Sequence, residues 1–153
     1  MRIADFIKLD NICADLKSTG KMNVLAELAK ILEGDCPNTD EDQIAKILVE
    51  RERLATTGIG DGVAIPHGKL SGIDGICAAI GISRTGIPFD AVDGNPIHIF
   101  VALLAPQNST GDHLKALARV SRLLKDPAFR SRLLESKTPT EIYDALLEED
   151  GKY

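Results

Sequence analysis

Every second residue from Gly58 to Gly62 is a glycine, and the stretch Thr56-Thr57-Gly58-Ile59-Gly60-Asp61-Gly62-Val63-Ala64-Ile65-Pro66-His67-Gly68-Lys69 leads from them to a single imidazole. Glycine allows positive φ and close backbone approach, at an entropic cost to folding. Val63-Ala64-Ile65 predicts a short buried strand, and Pro66 holds the residue before it extended. His67 is then expected at the tip of that strand, on a Pro-His-Gly-Lys turn, with Lys69 and free backbone N–H groups beside it. The glycines precede the strand rather than follow it, which excludes a dinucleotide-binding fingerprint. No Gly-Lys-Ser/Thr closes the stretch, which excludes a P-loop. Two readings remain: a rigid element presenting one nucleophile or base, or a plain Gly-rich turn with a surface histidine.

The remainder of the chain gives this element a core to stand on. Its 153 residues, 44% hydrophobic and 27% charged, suit one globular domain spanning 1–153. Tryptophan is absent and aromatics amount to 4%, so the core must be aliphatic. A net charge of −5 argues against nucleic-acid binding, which needs a basic footprint. No apolar run approaches the roughly 18 residues of a membrane span, and Met1-Arg2-Ile3-Ala4-Asp5 does not read as a signal peptide. Cys13, Cys36 and Cys77 are odd in number and form no CxxC, which points to reduced thiols in a cytoplasm.

In chain order, a strand is expected around residues 11–16. A helix entered through Ser18-Thr19-Gly20 follows, with Met22, Leu25, Leu28, Ala29 and Leu32 at helical spacing and Gly34 at its end. Pro37 to Asp42 supplies a loop, a cap and acidic first-turn residues for a second helix, whose inner face is Ile44, Ile47 and Leu48. That helix runs into Glu50-Arg51-Glu52-Arg53-Leu54, just upstream of the glycines. Ile76 to Ser83 is a nearly continuous apolar run, as a strand covered on both faces requires. Thr85 to Phe89 reads as a turn with a short extended piece, Asp93 to Pro96 as another turn, and Ile97 to Pro106 is the strongest strand in the chain. A helix opening at Asp112-His113 and two short ones, from Pro127 and Pro139, finish it. Helices, then strands, then helices predict an α/β (α+β mixed) fold: a single domain with a mixed parallel/antiparallel sheet flanked by helices on both faces.

Three more side chains compete for a role. His113 opens a helix after the strongest strand, where an imidazole and a helix N-terminus together suit an anion, though a capping neighbour without function fits as well. Arg51 is a guanidinium suited to phosphate oxygens, or one solvated charge in a Glu-Arg-Glu-Arg run. His98, between Ile97 and Ile99, reads as structural.

The segment Arg51 to Lys69 resembles the active-site signature of phosphotransferase-system enzyme IIA domains of the fructose/mannitol and nitrogen-regulatory type. Gly86-Ile87-Pro88-Phe89-Asp90-Ala91-Val92-Asp93-Gly94 and Asp112-His113-Leu114-Lys115-Ala116-Leu117 resemble later parts of that family, in the same order. The resemblance implies a mixed sheet flanked by helices, with His67 as the phosphorylated histidine, His113 as a supporting histidine and Arg51 as a phosphoryl contact. It implies a phosphotransferase whose donor is the phosphocarrier HPr or its nitrogen-branch counterpart. Transfer between imidazoles needs an unprotonated ring nitrogen and compensation of phosphoryl charge, here expected of His67 Nε2, Arg51, His113 and glycine-stretch N–H groups. It needs no cofactor and no metal.

Pro66-His67-Gly68-Lys69 in a chain without a fused membrane or phosphocarrier domain is most similar to the nitrogen-regulatory type, whose phosphorylation state is read by target proteins. The alternative is a fructose/mannitol-type IIA handing the group to a IIB domain of a sugar permease. From other classes come a metal-dependent hydrolase, which would need a third ligand converging on His67 and His113, and a binding module without phosphoryl chemistry.

Overall fold

A computed structural model describes all residues from Met1 to Tyr153. Its spine is the pair β5 (Cys77–Ile87) and β6 (Ile97–Pro106), joined antiparallel. β1 (Ile12–Cys13) runs parallel to β5, while β3 (Val63–Ala64) and β4 (His67–Leu70) both run parallel to β6. β2 (Gly58–Gly60) pairs antiparallel with β3 and completes a mixed, six-stranded sheet. The expected Pro-His-Gly-Lys turn is therefore a strand. Its proline and glycine look like turn residues, but parallel pairing with β6, more than thirty positions downstream, keeps it extended.

β3 and β4 keep one register on β6, with Val63 opposite Ile99 and His67 opposite Leu103. They are a single strand broken at Ile65-Pro66. Along it the faces alternate, as strand geometry demands. Val63 and Ile65 enter one core; Ala64 and Leu70 enter the other, beyond the sheet. The same alternation sends His67 and Lys69 to the first face and Gly68 to the second.

Each face carries its own helical layer. α1 (Lys21–Glu33) and α2 (Glu41–Leu54) cover the second face, burying Val24, Leu25, Leu28 and Leu32 of α1 and Ile44 and Leu48 of α2. Met22, expected on the inner face of α1, is out in solvent. α3 (Thr110–Leu124), α4 (Pro127–Glu135) and α5 (Pro139–Asp150) cover the first face. Asp and Thr side chains cap two of these helices: the Asp40 carboxylate accepts from Gln43 N–H, and Thr138 Oγ1 accepts from Glu141 N–H. β6 feeds both layers, Ile99, Val101 and Leu103 to one and Phe100, Ala102 and Leu104 to the other, which explains its unbroken apolar sequence. No helix is long and apolar enough to cross a membrane.

Candidate functional site

The glycines make a reversal between β2 and β3. Gly60, Asp61 and Gly62 take φ of 99°, 58° and 75° in succession, a path that glycine makes affordable. This hairpin packs beside residues 89–98, at the far end of the sheet from His67: Gly62 C=O accepts from the N–H groups of His98 and Ile99. The stretch's N–H groups have other partners as well. Thr57 N–H donates to Glu52, Gly58 N–H to Thr56 Oγ1 and Asp61 N–H to Asp93. The expectation that they stabilise charge at His67 is not met; they fasten the hairpin instead.

His67 stands where the β3–β4 strand resumes. The break in the ladder leaves the Ile65 carbonyl free, and His67 Nδ1 lies 2.8 Å from it. A carbonyl oxygen can only accept, so Nδ1 carries the hydrogen and Nε2 the lone pair. Arg51, in the last turn of α2, donates from Nε to His67 Nε2 at 3.3 Å and from Nη1 to the Ala55 carbonyl at 2.9 Å. α2 lies on the opposite face of the sheet, and β4 pairs only with β6, so the guanidinium reaches the imidazole past an open strand edge. The approach is close because residue 68 is glycine: a Cβ there would sit 2.4 Å from Ile47 Cγ2 of α2.

His113 comes from the first turn of α3. Its ring meets that of His67 edge-on, centroids 5.3 Å apart and planes 72° apart. The side chain is buried, at 8% exposure, and its Nε2 has no hydrogen-bond partner. Lys69, one strand repeat beyond His67, donates to Thr110 Oγ1 at the start of α3. Burial lowers the pKa of both imidazoles; the Arg51 charge lowers His67 further, and the His67 and Lys69 charges do so for His113. Both rings are held neutral amid cationic neighbours, an arrangement that favours an incoming anion over a proton. No group of three or more His, Cys, Asp or Glu side chains converges anywhere in the chain, so the third ligand a metal-dependent hydrolase would require is not there. His98 lies apart from this cluster, its Nδ1 against the Ser83 carbonyl.

Residues 5–149 match the family model described as "Phosphoenolpyruvate-dependent sugar phosphotransferase system, EIIA 2". The chain belongs to this family. It is 38% identical over 146 residues to a nitrogen regulatory protein of Bradyrhizobium diazoefficiens, covering 95% of each chain. It is 31% identical over 150 residues to the fructose-specific EIIABC component of Bacillus subtilis, matching 24% of that longer protein. The crystal structure of the nitrogen regulatory protein IIA-Ntr from Neisseria meningitidis superposes with a TM-score of 0.88 at 30% identity, covering 94% of this chain and 98% of that one. The family's mixed sheet between helical layers is the architecture found here.

One group that supports this cluster escaped the sequence reading. Glu52 is 5% exposed; its carboxylate accepts both the N–H and the hydroxyl of Thr57 and pairs with Lys21 Nζ at 3.1 Å. It ties the turn that carries Arg51 to the chain entering β2. The signal was present: Glu52 continues the Ile44, Leu48 stripe at four-residue spacing. Lys69, expected beside His67, shares its face because residues 67–70 form a strand.

Proposed function

We propose that His67 Nε2 accepts a phosphoryl group from the phosphohistidine of HPr or its nitrogen-branch counterpart, and that this chain works as a phosphotransferase of one phosphoryl-acceptor domain, residues 1–153, in the cytoplasm. The observation that carries the reading is the Nδ1–H···O=C contact with Ile65, which leaves Nε2 unprotonated. In the step itself the donor's P–N bond breaks as the P–Nε2 bond forms, and the Nδ1 hydrogen stays on the ring. The Ile65 carbonyl then compensates positive charge developing on the imidazole. Arg51 transfers its N–H from Nε2 to the equatorial oxygens, and His113 offers its unpartnered Nε2 to another. Neither step calls for a metal or other cofactor.

The phosphorylation state is read by target proteins in the nitrogen-regulatory manner. Near-complete mutual coverage with the Bradyrhizobium protein favours this role. The match to a segment of the fructose-specific EIIABC component favours the second reading, transfer to a IIB domain serving sugar uptake. The test uses labelled phosphoenolpyruvate, enzyme I and each carrier: the wild type should acquire an acid-labile, base-stable label that His67→Ala lacks. Labelling of that variant at the wild-type level would remove His67 from the role. Discharge of the label by a fructose-type IIB would decide for sugar uptake.

A further inference from the structure

A second reactive cluster lies on the α1/α2 side of the sheet, independent of phosphoryl chemistry. Cys77 opens β5, and Cys36 sits in the loop between α1 and α2; both thiols are free. Cys77 Sγ is 3.6 Å from the carbonyl oxygen of Asp35, the residue bonded to Cys36. Standard peptide dimensions then place that sulfur within roughly 6.5 Å of the Cys36 Cα. Cys77 lines an open cleft of about 290 Å³ with Phe6, Lys8, Asp35 and Pro37, whereas Cys36 is buried behind it. The interaction with Cys36 lowers the Cys77 thiol and raises that of Cys36; burial and the Asp35 charge oppose the lowering at Cys77, and the Lys8 charge adds to it. Cys13, the third cysteine, is in β1 opposite Gly81, well along the sheet from Cys77.

We propose that Cys77 and Cys36 form a hydroperoxide-responsive dithiol, with the cleft-lining Cys77 as the attacking sulfur and the buried Cys36 as the resolving one. An accessible thiolate next to a second thiol is the arrangement in which oxidation ends in a reversible bond rather than in over-oxidation. In the first step the Cys77 thiolate attacks a peroxide oxygen: an S–O bond forms, the O–O bond breaks, and the departing alkoxide or hydroxide takes a proton from solvent. In the second, Cys36 sulfur attacks the sulfenic sulfur: the S–S bond forms, the S–O bond breaks, and the thiol proton leaves with the hydroxide as water. Two thiols lose two electrons, and the hydroperoxide ends as alcohol (or water) plus water. The bond would close a loop that contains both Arg51 and His67.

The experiment treats the reduced full-length protein with a slight excess of hydrogen peroxide and follows intact mass and non-reducing peptide maps. The wild type should lose about 2 Da as a monomer, yield a Cys36–Cys77 cross-linked peptide and recover its mass in dithiothreitol. Cys36→Ser should leave a sulfenic acid on Cys77 that dimedone traps, at a rate roughly tenfold above that of Cys13. A link through Cys13, a disulfide-bonded dimer, or a Cys77 no faster than Cys13 would overturn the proposal. The wild-type map stands on its own if a variant folds poorly, and none of these readouts depends on phosphoryl transfer.

Discussion

Replacing Glu52 with alanine tests whether the fastening of α2 to the β2 entry is what holds Arg51 in place. The carboxylate accepts from Thr57 N–H at 3.0 Å and 3.1 Å and from Thr57 Oγ1, and pairs with Lys21. Thr57 is 4% exposed, so its N–H would be left buried without an acceptor, at about 1–3 kcal/mol. Lys21 has 20% of its side chain in solvent and keeps Asp90 at 3.4 Å, so losing that pair adds about 1 kcal/mol rather than the full penalty of a stranded buried charge. The sum is about 3 kcal/mol, or roughly 6–12 °C in melting temperature for a domain this size. Glu52→Gln keeps one acceptor oxygen and should lose about half as much. The assay is urea denaturation with unchanged slope, run beside single-turnover transfer from the phosphocarrier at a temperature where each variant is folded. Transfer should fall at least as far as for Arg51→Lys, because the same helical turn carries both side chains. A Glu52→Ala midpoint equal to wild type, or a destabilised variant with undiminished transfer, would refute the coupling of this carboxylate to the site.

Arg51→Lys keeps the charge but loses the planar donor fork, so transfer should drop by about tenfold or more, while the exposed Arg53→Lys stays at the wild-type rate; equal rates would return Arg51 to the solvated surface. His113→Ala should slow transfer by at least roughly tenfold in the same assay, consistent with loss of a charge-stabilising donor, and a wild-type rate would leave His113 a packing residue. With the His67 pKa lowered by burial and by the Arg51 cation, the ring stays neutral on acidification past the ordinary imidazole range, so the acid limb of the pH–rate profile should fall below about pH 6.5. Arg51→Met removes one lowering influence and should move that limb to higher pH; a shift to lower pH contradicts the charge argument. Gly68→Ala forces a Cβ against Ile47 and should cost about 1–3 kcal/mol in thermal or urea melts, with partial recovery in the Gly68→Ala/Ile47→Ala double variant.

The layered fold was legible because its signals are local. The apolar run of β6, the helical spacing of α1 and α2 and the caps of Asp40 and Thr138 each sit within a few residues. His67 stood out for the same reason, at the end of a glycine-rich approach. Residues 67–70 were misread because nothing local marks them as a strand; pairing with β6 decides it, and Pro66 and Gly68 argue for a turn until that partner is known. The glycine stretch misled in the other direction. Its conspicuous pattern serves a hairpin at the far end of the sheet, while the one glycine near the histidine that matters for packing is Gly68. Arg51 looked like any charge in its run, since reach past a strand edge has no sequence period. Glu52 was hidden by its charge, although its spacing with Ile44 and Leu48 belonged to the inner face.

The broken strand has a consequence for how the molecule comes into being. His67 is aimed by a ladder to β6, Arg51 by a helix packed on the other face, and His113 by a helix that begins only after β6 ends. None of the three is in place until segments far apart in the chain have found one another, and non-local parallel pairing of this kind assembles slowly. A nascent or half-folded chain holds the same histidine without its neighbours or its fixed ring nitrogen. On the proposed function, phosphoryl acceptance at residue 67 is therefore expected only of finished molecules, and the rate at which it appears during refolding should read out closure of the whole sheet.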